Sequence, residues 1–504
     1  MTNDETEYRD ESHITEASDV NQSKVPSSIK TLSSWIRQKM YGEDVRESIA
    51  RGIEKTSEVA QNAVNISNNT SSRQDNIEDR YDNQIAGNTD INEVIDARKP
   101  TNKPSYITLG ERLNDMPTNE ELESLIGDDG NDVDGGIQDY MKPVLRETLA
   151  SIDTGKFNLG FGTDYHYDVA SDYNPQKGDY TKQEIAAMWN AGLRKSLNMT
   201  SLSTKLDAVV FGGDNVDSPD VSVDNTGRST MLKENKDFAN TVFTSTKAPT
   251  FILKGNHDCN YNSGNTPETI ITDKELSTIY RQKDILFGEN RLAGSNYFYK
   301  DFSDKKVRLI GLDMYDMPET SGTDGKMKFN RFSTSGLQQA QLDWLVNDAL
   351  LTVPADYAVL ITAHCSPDGT LHTGEKNHNH TILKTILEAF VAGTTTTIVG
   401  TDADIPAKVE CKFTEAGHLA GVIFGHWHKD DSITTNGINY IGTRCSLTAG
   451  DEVDKANRMN QFGTANEDAF DIATINSTNK LLTLKRVGAG SDDSTIASRT
   501  FSYE

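Results

Sequence analysis

Cysteine is scarce: Cys259, Cys365, Cys411 and Cys445 are the four thiols in 504 residues. So few cannot build the disulfide framework of a small secreted scaffold, and reduced, partly buried thiols are expected. Long apolar runs are missing too. No stretch approaches the roughly 18 consecutive apolar residues of a membrane-spanning helix. The opening segment MTNDETEYRDESHITEASD is polar and acidic, unlike a signal peptide, so synthesis and folding in a cytoplasm are expected. Basic side chains are outnumbered, 50 against 76 acidic, for a net charge of −26. That balance, with no basic stripe, argues against a duplex nucleic-acid binder or nuclease, whose affinity rests on cations that displace counterions from phosphates.

What is present is unevenly arranged. Residues 1–150 hold 30 acidic and 16 basic side chains, whereas the remaining, much longer part holds 46 and 34. Residues 1–28 lack hydrophobic periodicity and read as an acidic disordered tail. Over 29–90 a helical pattern begins at Leu32, Trp35, Ile36 and Met40, and then repeats at Val45, Ile49, Gly52, Thr56, Val59, Ala63, Ile66 and Thr70. This alternation of four and three predicts a coiled-coil stalk, and hence a homo-oligomer, with a trimer as the expected state. Residues 91–150 read as a short β-arm (Asn92 to Ala97), broken by prolines, and an acidic linker containing DDGNDVDGG. No frame of that run matches a calcium-binding loop.

From residue 151 to 490 apolar strands alternate with amphipathic helices, predicting a large layered α/β domain, and 491–504 reads as a C-terminal tail. Strands are predicted at Phe157–Phe161, Ala208–Phe211, Thr250–Leu253, Val307–Leu312, Ala358–Thr362 and Gly421–Phe424, followed by strands at Ile438–Ile441, Phe470–Ile475 and Leu481–Val487. Helices are predicted at Lys182–Leu197 and Leu337–Leu350.

Five of the strands are followed at once by a short polar motif. Asp164 and His166 lie in GTDYHYD, and Asp214, Asn215 and Asp217 in GGDNVD. Asn256, His257 and Asp258 lie in GNHD, His364 in TAHCSP, and His426 and His428 in GHWH. In an open α/β sheet the carboxyl ends of the strands form one edge, where ligands bind. Carboxylates gathered there without a cation would repel and be costly to desolvate, so divalent metal is expected. Nitrogen and oxygen donors without thiolate suit Mn, Fe or Zn.

The series Asp-x-His, Gly-Asp-x-x-Asp, Gly-Asn-His-Asp, His and Gly-His-x-His resembles the calcineurin-like metallophosphoesterases, over roughly residues 155–490. The resemblance implies two mixed β-sheets packed as a sandwich flanked by helices, and two divalent metal ions. It implies that Asp164, His166 and His428 hold one metal, that Asn256, His364 and His426 hold the other, and that Asp214 bridges them. His257, oriented by Asp217, is then the acid that protonates the leaving group. Asp258 is expected either as a support behind the ligands or as a loop cap, and Asn215 either as a substrate contact or as a turn support. His372, His378 and His380 belong to HTGEKNHNH, read as a solvated loop with a substrate lip or extra metal site as the other reading.

The stretch NEVIDARKPTNKPSYITLGERL, beginning at Asn92, is similar to a segment of tail and baseplate proteins of phages that infect Gram-positive bacteria. This resemblance implies a virion protein, made in the host cytoplasm, that docks on other tail proteins. Its enzymatic head would hydrolyse envelope phosphodiesters such as teichoic acid. Two alternatives stay open: a phosphodiesterase or nucleotidase for small molecules, and a non-catalytic receptor-binding module of a tail.

Overall fold

The computed structural model describes residues 26–38, 49, 56, 63, 136–169, 180–217, 225–259, 264–371, 377–449 and 458–504. The chain divides into two units, 1–116 and 117–504. In the first, helix α1 (Ser27–Gln38) buries Leu32, one of the periodic positions. The rest of the expected stalk lies outside the described residues except for Ile49, Thr56 and Ala63, which are helical. The expected β-arm also lies outside them.

The second unit begins earlier than its predicted start at residue 151. Helix α2 (Lys142–Ser151) buries Leu145 and Leu149 in the core, so the end of the expected linker belongs to the head. There follow β1 (Phe157–Gly162), α3 (Lys182–Ser201), β2 (Ala208–Phe211), α4 (Asn225–Ser245), β3 (Thr250–Ile252) and α5 (Asp273–Ile279). Next come β4 (Phe298–Phe302), β5 (Val307–Gly311), α6 (Gln339–Trp344), β6 (Ala358–Thr362), α7 (His380–Ala392), β7 (Thr395–Val399) and β8 (Lys408–Lys412). The unit closes with β9 (His418–Phe424), β10 (Asp431–Thr435), β11 (Ile438–Gly442), β12 (Ala469–Asn476), β13 (Leu481–Gly488) and β14 (Ser498–Ser502).

Two six-stranded mixed sheets result, in the orders β14-β13-β12-β1-β2-β3 and β10-β11-β9-β6-β5-β4, with β7 and β8 forming a separate ribbon. β1, β2 and β3 run parallel, as do β11, β9, β6 and β5. The tail expected at 491–504 instead contains β14, which pairs antiparallel with β13. Its burial alternates residue by residue, the weak signal of an edge strand with one wet face.

The inner strands are almost continuously apolar because both of their faces are covered. Ala208 and Val210 of β2, Val307 and Leu309 of β5, and Ala358 and Leu360 of β6 meet between the two sheets. Val209 and Phe211 face the other way, onto Leu145, Met199, Phe238 and Val242 of the helices outside the first sheet. Val359 and Ile361 face the helices outside the second sheet, among Leu342, Leu345, Leu383 and Leu387. A truncation in any of these layers, such as Leu360→Ala, costs about 2–5 kcal/mol. Helix α3 begins with a capping box in which Thr181 and Glu184 each satisfy the other's backbone N–H. The helix predicted at Leu337–Leu350 is α6 continued by one π-helical segment, Leu345–Leu350.

Candidate metal centre

The five motifs leave the carboxyl ends of β1, β2, β3, β6 and β9 at neighbouring places in the two sheets. Backbone bonds tie them together: Asp164 N–H donates to Gly213 O at 3.0 Å and His166 N–H to Asp214 O at 2.9 Å. Of the twelve described non-glycine residues with positive φ, five are Asp164, His166, Asp214, His426 and His428. An L-residue occupies that region at a cost and only where its surroundings impose it. Two glycines make the crowding feasible. Gly213 has φ +98, and a Cβ there would stand 2.5 Å from His364 Nδ1; one on Gly255 would stand 2.1 Å from Asp214 Oδ1.

The side chains form two adjoining clusters. In one, His428 Nε2 lies 3.4 Å from Asp164 Oδ1 and 3.2 Å from His166 Nε2. In the other, Asn256 Oδ1 lies 3.1 Å from His364 Nε2 and 3.0 Å from His426 Nδ1. Asp214 Oδ2 stands between them, 3.2 Å from His364 Nε2 and 3.7 Å from His166 Nε2. The donor set fits cations. An ion that binds nitrogen and oxygen at about 2.0–2.2 Å holds its ligands about 3.0–3.5 Å apart, which is the spacing of the closest donor pairs here. His364 Nδ1–H donates to Gly212 O at 2.9 Å, which leaves Nε2 to present its lone pair inward.

Electrostatics point the same way. Burial alone would lower the pKa of His364, but the Asp214 and Asp164 carboxylates outweigh it and raise it to about 9. Burial opposes charge on Asp164 as well, yet His428 and His364 bring it down to about 2. The buried carboxylates thus draw positive charge to this place, as protons when no metal is supplied. Cys259 and Cys365 are buried, and burial pushes the Cys259 thiol up to about 12, so it supplies no thiolate.

Beside the clusters, His257 Nδ1 lies 2.5 Å from Asp217 Oδ1, and its Nε2 lies 3.9 Å from Asp214 Oδ2. Asp258 turns away from the donors. Its carboxylate accepts N–H bonds from Gly255, Asn215 and Val216 at 2.7–3.1 Å, locking the β2 and β3 loops together. Asn215 is fully buried and donates through Nδ2 to Leu253 O and Asp258 Oδ2. These bonds tie the β2 turn to the β3 loop.

The histidine-rich loop gives no further metal cluster among the described residues. His380 is buried at the start of α7 against Ser335, and His378 bonds Asp402. His372 lies outside the described residues.

Four supporting residues carried no clear sequence signal. Tyr315 donates its hydroxyl to Asn256 Oδ1 at 3.3 Å, and Asn256 Nδ2 donates to Phe332 O, turning the amide oxygen toward the histidines. Arg331 and Lys254, both fully buried, meet on Asp273. Lys254 directly precedes the GNHD motif, the one hint available.

Comparison with known proteins adds the family. Residues 153–430 match the profile of the calcineurin-like phosphoesterases, and no curated protein matches the chain. Among solved structures, a predicted phosphoesterase from Streptococcus pneumoniae aligns at 9% identity over 69% of this chain and 98% of its own, with a TM-score of 0.25. GAP50, the anchor in the inner membrane complex of Plasmodium, aligns at 11% identity over 69% and 89%, with a TM-score of 0.32. The phosphopantetheinyl hydrolase of Mycobacterium tuberculosis aligns at 9% over 58% and 91%, with a TM-score of 0.27.

Proposed function

The chain belongs to the calcineurin-like phosphoesterases, metal-dependent phosphoric ester hydrolases, and on that premise we propose that it is a dinuclear-metal phosphodiesterase. The observation that carries this is the paired clusters with Asp214 between them and the His257–Asp217 pair at their side. Asp164, His166 and His428 would hold one ion, Asn256, His364 and His426 the other, and Asp214 both. When bound, two such ions polarise the phosphoryl oxygens and lower the pKa of water.

The chain's own residues do the rest. Asp217 accepts from His257 Nδ1, fixing the ring so that Nε2 faces the place where substrate sits. Burial disfavours charge on this ring, but Asp214 and Asp217 outweigh that and raise its pKa above the ordinary histidine value. With Asp214 engaged by cations, Asp217 remains as counterion to the imidazolium. His257 Nε2 then delivers a proton to the departing oxygen, which otherwise leaves as an alkoxide. Tyr315 and Phe332 hold Asn256 in position.

The substrate we propose is a cell-envelope phosphodiester of the teichoic acid type, and the setting a phage tail or baseplate. What supports this is the N-terminal resemblance beginning at Asn92 and the heptad pattern before it. Incubation of the purified protein and Mn²⁺ with teichoic acid is expected to release phosphomonoesters and shorten the chains. No release with a metal-loaded, folded protein would remove the teichoic acid reading.

A further inference from the structure

Three arginines surround two buried aspartates just behind the loop that carries His426 and His428. Arg486, fully buried, donates to both Asp430 and Asp471. Arg499 Nη2 stands 3.5 Å from Asp430 and 3.3 Å from Asp471. Arg444 donates its backbone N–H to Asp430 Oδ1, and its Nε lies 3.3 Å from Oδ2. Three guanidinium groups thus stand against two buried carboxylates. Asp493, whose carboxylate also feels Arg444, is exposed and accepts from Thr495.

Arg444 is the open member of the set. Its side chain is 23% exposed, against 0% for Arg486 and 8% for Arg499. Its Nη1 and Nη2 have no protein partner among the described residues, because its contacts run through Nε and the backbone to Asp430. A guanidinium edge with both terminal nitrogens open matches the spacing of two oxygens on a phosphate.

Its position ties this edge to the metal centre from two sides. Asp430, which it touches, is two residues past His428. Ser446 and Leu447, two and three residues beyond Arg444, donate their N–H groups to Thr163 O and Asp164 O, both at 2.9 Å. Two or three residues of chain span at most about 7–11 Å.

We propose that Arg444 binds a second phosphate of the substrate, adjacent to the one that is cleaved, so that the site takes polyphosphodiesters in preference to isolated diesters. This rests on the phosphodiesterase reading above. Asp430 is shared by Arg444, Arg486 and Arg499, so its one charge is divided among three cations.

The test uses two chromogenic compounds and the full chain loaded with Mn²⁺. One is p-nitrophenyl propyl phosphate, with a single phosphate. The other carries a second phosphate on the far carbon of the propyl arm. For the wild type, KM for the second compound is expected to be lower by about tenfold, and the advantage should shrink as salt rises. Arg444→Gln is expected to bring the ratio of the two KM values close to one, whatever it does to both together. Arg444→Lys, which keeps a charge but not the fork, should restore part of the ratio, with metal content measured for each variant. A ratio unchanged in Arg444→Gln, or no preference in the wild type, overturns the proposal. Hydrolysis of neither compound would remove the phosphodiesterase reading and this one with it. A preference that depends on Arg444, together with intact teichoic acid, would keep the subsite and remove that polymer as substrate.

Discussion

Asp217 Oδ1 lies 2.5 Å from His257 Nδ1, with both side chains largely shielded from water. The pair has one ring nitrogen committed to a carboxylate and the other 3.9 Å from Asp214 Oδ2. His257→Ala should therefore retain its metals and lose about 10²–10⁴-fold in kcat on alkyl phosphodiesters. The loss on nitrophenyl esters, whose leaving group needs no proton, should be much smaller. Asp217→Asn should cost about 10–100-fold through loss of orientation. Parallel kcat measurements on the two ester types check both.

Asp214 has a carboxylate oxygen near ligands of both clusters. Asp214→Asn should abolish turnover and reduce the bound metal measured by elemental analysis. Excess Mn²⁺ should raise the wild-type Tm, since a cation that binds the folded chain at 100 times its Kd adds about 2.7 kcal/mol. A chelator should reverse the rise, and Asp214→Asn should show little of it.

How much of this centre was legible follows from where its information lies in the chain. Asp164, His166, Asn256, His257 and His428 each follow an apolar run within a few residues, so strand, turn and ligand are written side by side. Tyr315 and Phe332 reach Asn256 from segments 59 and 76 residues away, and nothing local marks them. The same reasoning applies to β14, predicted as tail: its pairing with β13 depends on a strand already in place. The π-helical segment at Leu345–Leu350 has the apolar content of an α-helix and differs in hydrogen-bond register, which residue spacing does not reveal.

Arg331 offers a stability test independent of catalysis. It is fully buried and bonded through both Nη atoms to Asp273, which is partly exposed and also takes Lys254 at 2.6 Å. Asp273→Asn leaves two buried cations with less compensation. A loss of up to about 3 kcal/mol is expected, the lower end of the range for buried pairs because Asp273 retains some water. Urea denaturation at neutral pH measures it.

Lys195 gives a pH dependence with a definite sign. The side chain is fully buried, and burial pushes its amine down to about 8, against about 10.4 in an unfolded chain. Between these values the unfolded chain binds the proton and the folded chain does not, so stability rises with pH across that window and the gain is lost as pH falls through 8. The gain is about 3 kcal/mol at about 1.4 kcal/mol per unit. Lys195→Met, compared with wild type by denaturant titration at pH 7.5 and 10, should lack this rise.

The first sheet takes β1, β2 and β3 from the start of the domain and β12, β13 and β14 from its end. Phe157 of β1 is paired with Ile475 of β12, about 300 residues later. At roughly 5–20 residues per second of synthesis, β1 waits about 15–60 s for the strand that flanks it. On a ribosome, then, the sheet that presents Asp164 and His166 stays incomplete until β12 to β14 have emerged. Metal capture by the finished centre thereby waits on the synthesis of β12, β13 and β14.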